Sequence, residues 1–220
     1  MKKLIITAIA AAVVATCGSV YATNASGFFL GLGGGYNNAD LPTGSQTFSP
    51  LAFPYTVTAS KQKFFLNANA GYLFAIGKSG FDVGPQIGYT YYGNYKLSER
   101  TVGIATVSGH NKTTIQSINF KLDGRYTIDS FFLGANAGIG DFLLHSSGEL
   151  SDNSSHVYVP SNGNSWDFMS GASLGYNITK NVSVEATYEH VFGQDIKMND
   201  TNTNKAPTMN MFGGAVTVYF

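Results

Sequence analysis

The ten residues from Met211 to Phe220 constrain this chain more than any other stretch. Phe212, Gly214, Val216, Val218 and Phe220 are apolar or small. They alternate with Gly213, Ala215, Thr217 and Tyr219, which are small or carry a polar atom. A period of two is a β-strand with a different environment on each face. A strand in water gains nothing by presenting Phe220 at its tip, so the outer face is expected to meet an apolar phase.

The same alternation recurs in seven earlier segments, at about 27–36, 63–75, 81–92, 114–126, 131–141, 166–176 and 182–191. In the fourth, Ile118, Phe120, Leu122 and Tyr126 alternate with Ser117, Asn119, Lys121, Asp123 and Arg125. Segments two and three, four and five, and six and seven are joined by short turns. The other connections, roughly 37–62, 93–113, 142–165 and 192–207, read as long loops rich in Asn, Ser, Thr and Gly. Pro85 falls inside the third segment, where its missing N–H predicts a bulge or a broken ladder bond.

A backbone amide exposed to hydrocarbon costs several kcal/mol, so membrane strands must close on themselves and leave no edge. Aromatic residues recur at segment ends, among them Phe28, Tyr36, Phe64, Phe74, Tyr126, Phe131, Trp166, Tyr176 and Tyr188. That placement matches two interfacial girdles. A soluble sandwich or lipocalin-like barrel would bury its apolar face inward and needs no such girdles. The expected fold is all-β: an eight-stranded antiparallel up-and-down transmembrane barrel. Both termini are expected on the periplasmic side, with four long extracellular loops and three short periplasmic turns.

At the other end, Lys2 and Lys3 precede an apolar run from Leu4 to Val14, and Val20-Tyr21-Ala22 is a small-residue cleavage site. Residues 1–22 are therefore expected to be a cleaved signal peptide, with the cut between Ala22 and Thr23, and residues 23–220 the barrel. A lipoprotein signal would instead cleave before Cys17, but Thr16 is uncommon at that position. Cys17 is the single cysteine, so the mature chain is expected to lack disulfide and thiolate chemistry. Removing Lys2 and Lys3 leaves 11 basic against 13 acidic residues, which offers nucleic acid no basic face. Only 12% of residues are charged while 14% are aromatic, in keeping with a barrel that alternates lipid-facing and lumen-facing side chains.

The chain resembles the small eight-stranded outer-membrane barrels, namely the transmembrane domain of OmpA-type proteins and the opacity-type surface proteins. The resemblance rests on Gly27-Phe28-Phe29-Leu30-Gly31-Leu32-Gly33, on residues 134–140 and 184–190, and on the closing strand. It implies that Phe212, Gly214, Val216, Val218 and Phe220 form the assembly signal read by the barrel-assembly machinery, with periplasmic chaperones delivering the precursor. It also implies residence in the outer membrane of a Gram-negative bacterium, in contact with lipid and lipopolysaccharide, as a monomer.

Chemistry-bearing patterns are few. Residues 31–36 superficially match a dinucleotide fingerprint, but no helix or βαβ context follows. Some outer-membrane lipid deacylases carry a His–Ser pair with an acid on the outer wall. His190 has the right setting, but Phe192 stands two residues on where a serine would be needed. No metal-ligand spacing is present, and neither cofactor nor catalytic residue is expected. The coherent constellation is the lumen set Asp82, Lys121, Asp123, Arg125, Asp167, Glu185 and Glu189. An eight-stranded barrel is just wide enough for side chains to fill, so these charges are expected to pair. Asp82 is expected to meet Arg125 directly, and Lys121 to reach Glu185 or a neighbouring acid.

Function then falls to the loops. The expectation is a non-enzymatic surface protein that stiffens the envelope and whose loops touch a host-cell molecule or a neighbouring envelope component, with Leu51, Phe53 and Tyr55 as the candidate adhesive cluster. A narrow solute or ion channel and a lipid-modifying enzyme are the competing readings.

Overall fold

The computed structural model describes residues 26–41, 44–48, 53–101, 107–151, 156–193 and 206–220. The cleavage site at Ala22 and Thr23 lies outside them, as does Leu51. Ten strands run in chain order: β1 (Gly27–Ala39), β2 (Gly44–Phe48), β3 (Phe53–Ala59), β4 (Gln62–Ala75), β5 (Phe81–Thr101), β6 (Val107–Ile128), β7 (Phe131–Ser151), β8 (His156–Thr179), β9 (Val182–Phe192) and β10 (Met209–Tyr219). All except β2 and β3 form the wall. Neighbours pair antiparallel around the ring β5-β4-β1-β10-β9-β8-β7-β6, and the β5–β6 pairing closes it. The fold is an eight-stranded antiparallel β-barrel.

β1 begins and β10 ends at the barrel end that carries the short turns. There the Phe220 N–H donates to the Phe28 carbonyl at 2.9 Å. Asp129, with φ 53°, sits in the two-residue turn between β6 and β7; aspartate tolerates that left-handed conformation better than most residues.

Alternation decides which side chains face out. Leu30, Leu32, Leu66, Ile87, Ile118, Phe120, Leu122, Leu133, Ile139, Leu174 and Val184 are all exposed on the outer wall. Leaving each in water would forgo roughly 1.5–3 kcal/mol, so the belt requires a hydrocarbon surround. Aromatic pairs border it. Near the turns, Phe28 and Tyr72 lie edge-on at 4.8 Å and Phe131 meets Tyr176 at 5.0 Å. At the far edge Tyr36 meets Phe64, Tyr188 meets Phe212 and Phe168 meets Phe192.

Two irregularities have clear causes. Opposite Pro85 and Gly84 the β4–β5 register passes from Gly71↔Gln86 directly to Phe74↔Val83. Proline has no N–H to give β4, and at Gly84 a Cβ would strike the Tyr72 carbonyl oxygen. At Gly93, with φ 95°, the β5–β6 register shifts by one residue. This bulge resets the alternation, so Tyr92 and Tyr95 both face inward and both are fully buried.

The expected long loops need correcting. Residues 93–101, 107–113, 142–151 and 156–165 continue as strands, and much of 37–62 is β1, β2, β3 or the start of β4. Above Gly93 the β5–β6 pairing runs from Asn94↔Thr114 to Thr101↔Val107, eight further pairs. The β6–β7 and β7–β8 pairings rise beside it to Ser108↔Ser151 and Ser151↔His156. β3 pairs with the upper part of β5, and β2 with β3. Six strands, ordered β2-β3-β5-β6-β7-β8, therefore stand above one side of the mouth as a hood about 25 Å tall along the strand direction. β9 ends at Phe192 and β10 begins at Met209.

Candidate functional site

The lumen holds three layers. Nearest the hood, Tyr92, Tyr95, Phe142, Ile115, Met169, Val191 and Met209 are fully buried and pack together. The Asn37 side chain stitches this plug: its Nδ2 donates to the Tyr92 carbonyl at 2.8 Å and its Oδ1 accepts from the Tyr95 hydroxyl. The hydroxyls of Tyr92 and Ser117 lie 3.0 Å apart, and the Tyr92 and Phe142 rings 5.5 Å apart.

Below the plug is a polar chamber of about 50 Å³, lined in part by Asn67, Asn69, Asp123, Asn136 and Glu185. A polar void of that size has room for roughly three waters. Lys121 on β6 and Glu189 on β9 meet at its edge with Nζ 2.9 Å from Oε2. Among the described residues, the oxygens Asn67 Oδ1, Asn69 Oδ1, Asn136 Oδ1 and Glu189 Oε1 have no hydrogen-bond partner.

The floor is built around Arg125. Its guanidinium carbon lies 3.4 Å from the centroid of the Phe132 ring. It donates to the Tyr219 hydroxyl and to Asn177 Oδ1. Phe29, Leu73 and Val182 are buried with it.

The expected charge set is thus divided. Lys121 passes over Glu185 for Glu189, while Asp123 and Glu185 line the chamber. Asp167 sits higher, accepting from Ser165 Oγ at 2.7 Å. The direct Asp82–Arg125 pair does not form, although the two are opposed in register. Arg125 is long enough to cross the floor toward β10 and β8, where an aromatic face, a hydroxyl and a carboxamide engage it together. Asp82 Oδ1 is left without a partner.

A second arrangement lies on the outer wall. His190 is flanked in register by Ser170 on β8 and by Asn210 on β10. Asn38 on β1 and Gln62 on β4 continue the row. His190 Nδ1 is 2.9 Å from Asn210 Oδ1, which also accepts from the Tyr188 hydroxyl at 2.8 Å. A carboxamide oxygen only accepts, so Nδ1 is the donor, and in the neutral ring the lone pair then sits on Nε2. A serine does stand opposite His190 on the neighbouring strand, at Ser170. Only the β8–β9 register reveals it, since Ser170 and His190 are far apart in sequence.

Of the adhesive cluster, Phe53 and Tyr55 lie in β3 rather than in a loop, with Tyr55 paired to Thr101.

No protein-family model matches the sequence, and no curated protein matches it. Among solved structures the chain is similar to small eight-stranded outer-membrane barrels. Neisserial surface protein A is 15% identical, with a TM-score of 0.41 over 90% of this chain and 100% of that one. The attachment invasion locus protein of Yersinia pestis is 14% identical, with a TM-score of 0.41 over 87% and 99%. The outer membrane protein OprG of Pseudomonas aeruginosa is 11% identical, with a TM-score of 0.47 over 89% and 97%. The barrel assignment rests on this chain's own strand pairing.

Proposed function

We propose that this chain is an integral surface protein of the outer membrane of a Gram-negative bacterium, with the hood as its binding element. The belt sits in the bilayer, with lipopolysaccharide around the upper girdle and the short turns in the periplasm. The hood carries the reading, because six strands project on one side beyond what the wall needs in order to close. Binding surfaces built on a rigid scaffold are the usual place for recognition. The partner is a host-cell surface molecule or a neighbouring envelope component. The plug and the Arg125 floor favour this reading over a solute channel, since buried side chains occupy the lumen above and below the chamber.

The test is display on a non-adherent laboratory bacterium, counting bound cultured host cells. The parent should bind well above an empty-vector strain, and a chain with residues 44–59 replaced by a Gly/Ser linker should bind less at equal surface level. A parent that inserts fully yet binds no better than the vector strain contradicts the adhesive reading.

A further inference from the structure

We propose that Ser170, His190 and Asn210 form a serine-hydrolase site on the outer wall, acting on an ester-linked acyl chain of an outer-leaflet lipid. The inference needs the barrel to lie in a membrane and is independent of what the hood binds.

The geometry supplies each role. Ser170 and His190 are directly opposed on antiparallel strands, which sets their Cβ atoms about 4.5–5.5 Å apart and makes the hydroxyl and the ring neighbours on the wall. Among the described residues that hydroxyl has no hydrogen-bond partner, so it is free to turn toward the ring. The Asn210 carboxamide holds His190 in the tautomer that leaves Nε2 as a base, the orienting role of the third member of such triads. The Tyr188 hydroxyl fixes the carboxamide in turn. Ser170, His190 and Asn210 are all half-buried on the outer face.

Position in the wall selects the substrate. The row lies immediately above Tyr188, Phe212, Tyr36 and Phe64, two residues away along each strand and on the same face. The Phe168–Phe192 pair stands just above it on the β8–β9 side. Aromatic girdles mark the level where headgroups meet hydrocarbon, which is where acyl ester carbonyls lie. Leu174, Val184 and the rest of the belt below offer an apolar track for the chain. Asn38 and Gln62 offer polar contact to a headgroup.

In the reaction, Ser170 Oγ adds to the ester carbonyl carbon while its proton passes to His190 Nε2. Collapse of the tetrahedral adduct breaks the carbon–oxygen ester bond, and the leaving alkoxide takes that proton. The products are an acyl-serine and a lipid with a freed hydroxyl. Water, deprotonated by His190, then releases the fatty acid and restores Ser170. Asn210 acts as a positioning residue.

The test uses the full mature chain folded into two kinds of vesicle, one of diacyl phosphatidylethanolamine and one containing lipopolysaccharide. Released fatty acid is read by mass spectrometry and insertion by heat-modifiable gel migration. Release from the first vesicle identifies a glycerophospholipid substrate, and release confined to the second identifies the acyl groups of lipopolysaccharide. Ser170→Ala and His190→Ala should lower release by about a thousandfold or more. Asn210→Ala should lower it strongly, whereas Asn210→Asp, which preserves the orienting acceptor, should retain most of it. A fluorophosphonate probe should label Ser170 in the parent, as located by peptide mapping. An inserted parent that releases nothing above blank vesicles and takes no label overturns the proposal, as does release that survives Ser170→Ala. In that case the row is an interfacial polar band only.

Discussion

Lys121 and Glu189 face each other across the lumen from β6 and β9, Nζ 2.9 Å from Oε2, with the side chains 5% and 12% exposed. Removing one partner of a buried pair strands the other charge, at about 3–5 kcal/mol, whereas replacing both with apolar residues is often neutral. Lys121→Met should therefore lower the unfolding free energy by about that amount, and Lys121→Met with Glu189→Leu should recover most of it. The single tryptophan, Trp166, stands on the outer wall and reports unfolding from vesicles in urea. A single variant as stable as the parent would show that the pair contributes nothing.

The plug should act as a seal. Tyr92 and Phe142 stack at 5.5 Å in its centre. Tyr92→Ala with Phe142→Ala should raise ion flux across a planar bilayer over a silent parent, and should also destabilise the fold, since each such truncation costs roughly 3–5 kcal/mol. A parent that conducts as freely as the variant would mean the lumen is open and the channel reading correct.

Gly93 should resist substitution. Its φ of 95° belongs to a region that β-branched residues enter at a cost of roughly 1–3 kcal/mol. Gly93→Val should lower the urea midpoint by more than Gly93→Asn does. Equal midpoints would show that the bulge tolerates any side chain.

The eight wall strands are legible in the sequence because the period of two survives in each of them, and the outward set of β10 is the apolar set Phe212, Gly214, Val216, Val218 and Phe220. The division of the charge set is not legible there. Sequence places Asp82 and Arg125 near one rim, but the reach of the arginine and the attraction of Phe132 and Tyr219 decide its partners. The hood strands read as loops because they are rich in Asn, Ser, Thr and Gly, which favour turns unless neighbouring strands supply the ladder. A single-residue bulge hides the inward turn of Tyr95. The pairing of Ser170 with His190 stays hidden because it depends on which strand lies beside β9.

Phe220 should be required for assembly. The residue is 72% exposed and its N–H donates to the Phe28 carbonyl, the last ladder bond between β10 and β1. Deleting it should leave protease-sensitive precursor in the periplasm and little heat-modifiable barrel in the outer membrane. Normal outer-membrane levels of the deleted chain would remove any role for Phe220.

The most direct measurement of the central claim is a spin-label scan along β7 of the protein in vesicles. Single cysteines at Leu133, Ala135, Ala137 and Ile139 should be accessible to oxygen and shielded from a water-soluble nickel complex. Cysteines at Gly134, Asn136 and Gly138 should not share that lipid signature, giving a period of two. Uniform water accessibility at all seven positions, or a period other than two, would contradict a closed barrel embedded by its outer face.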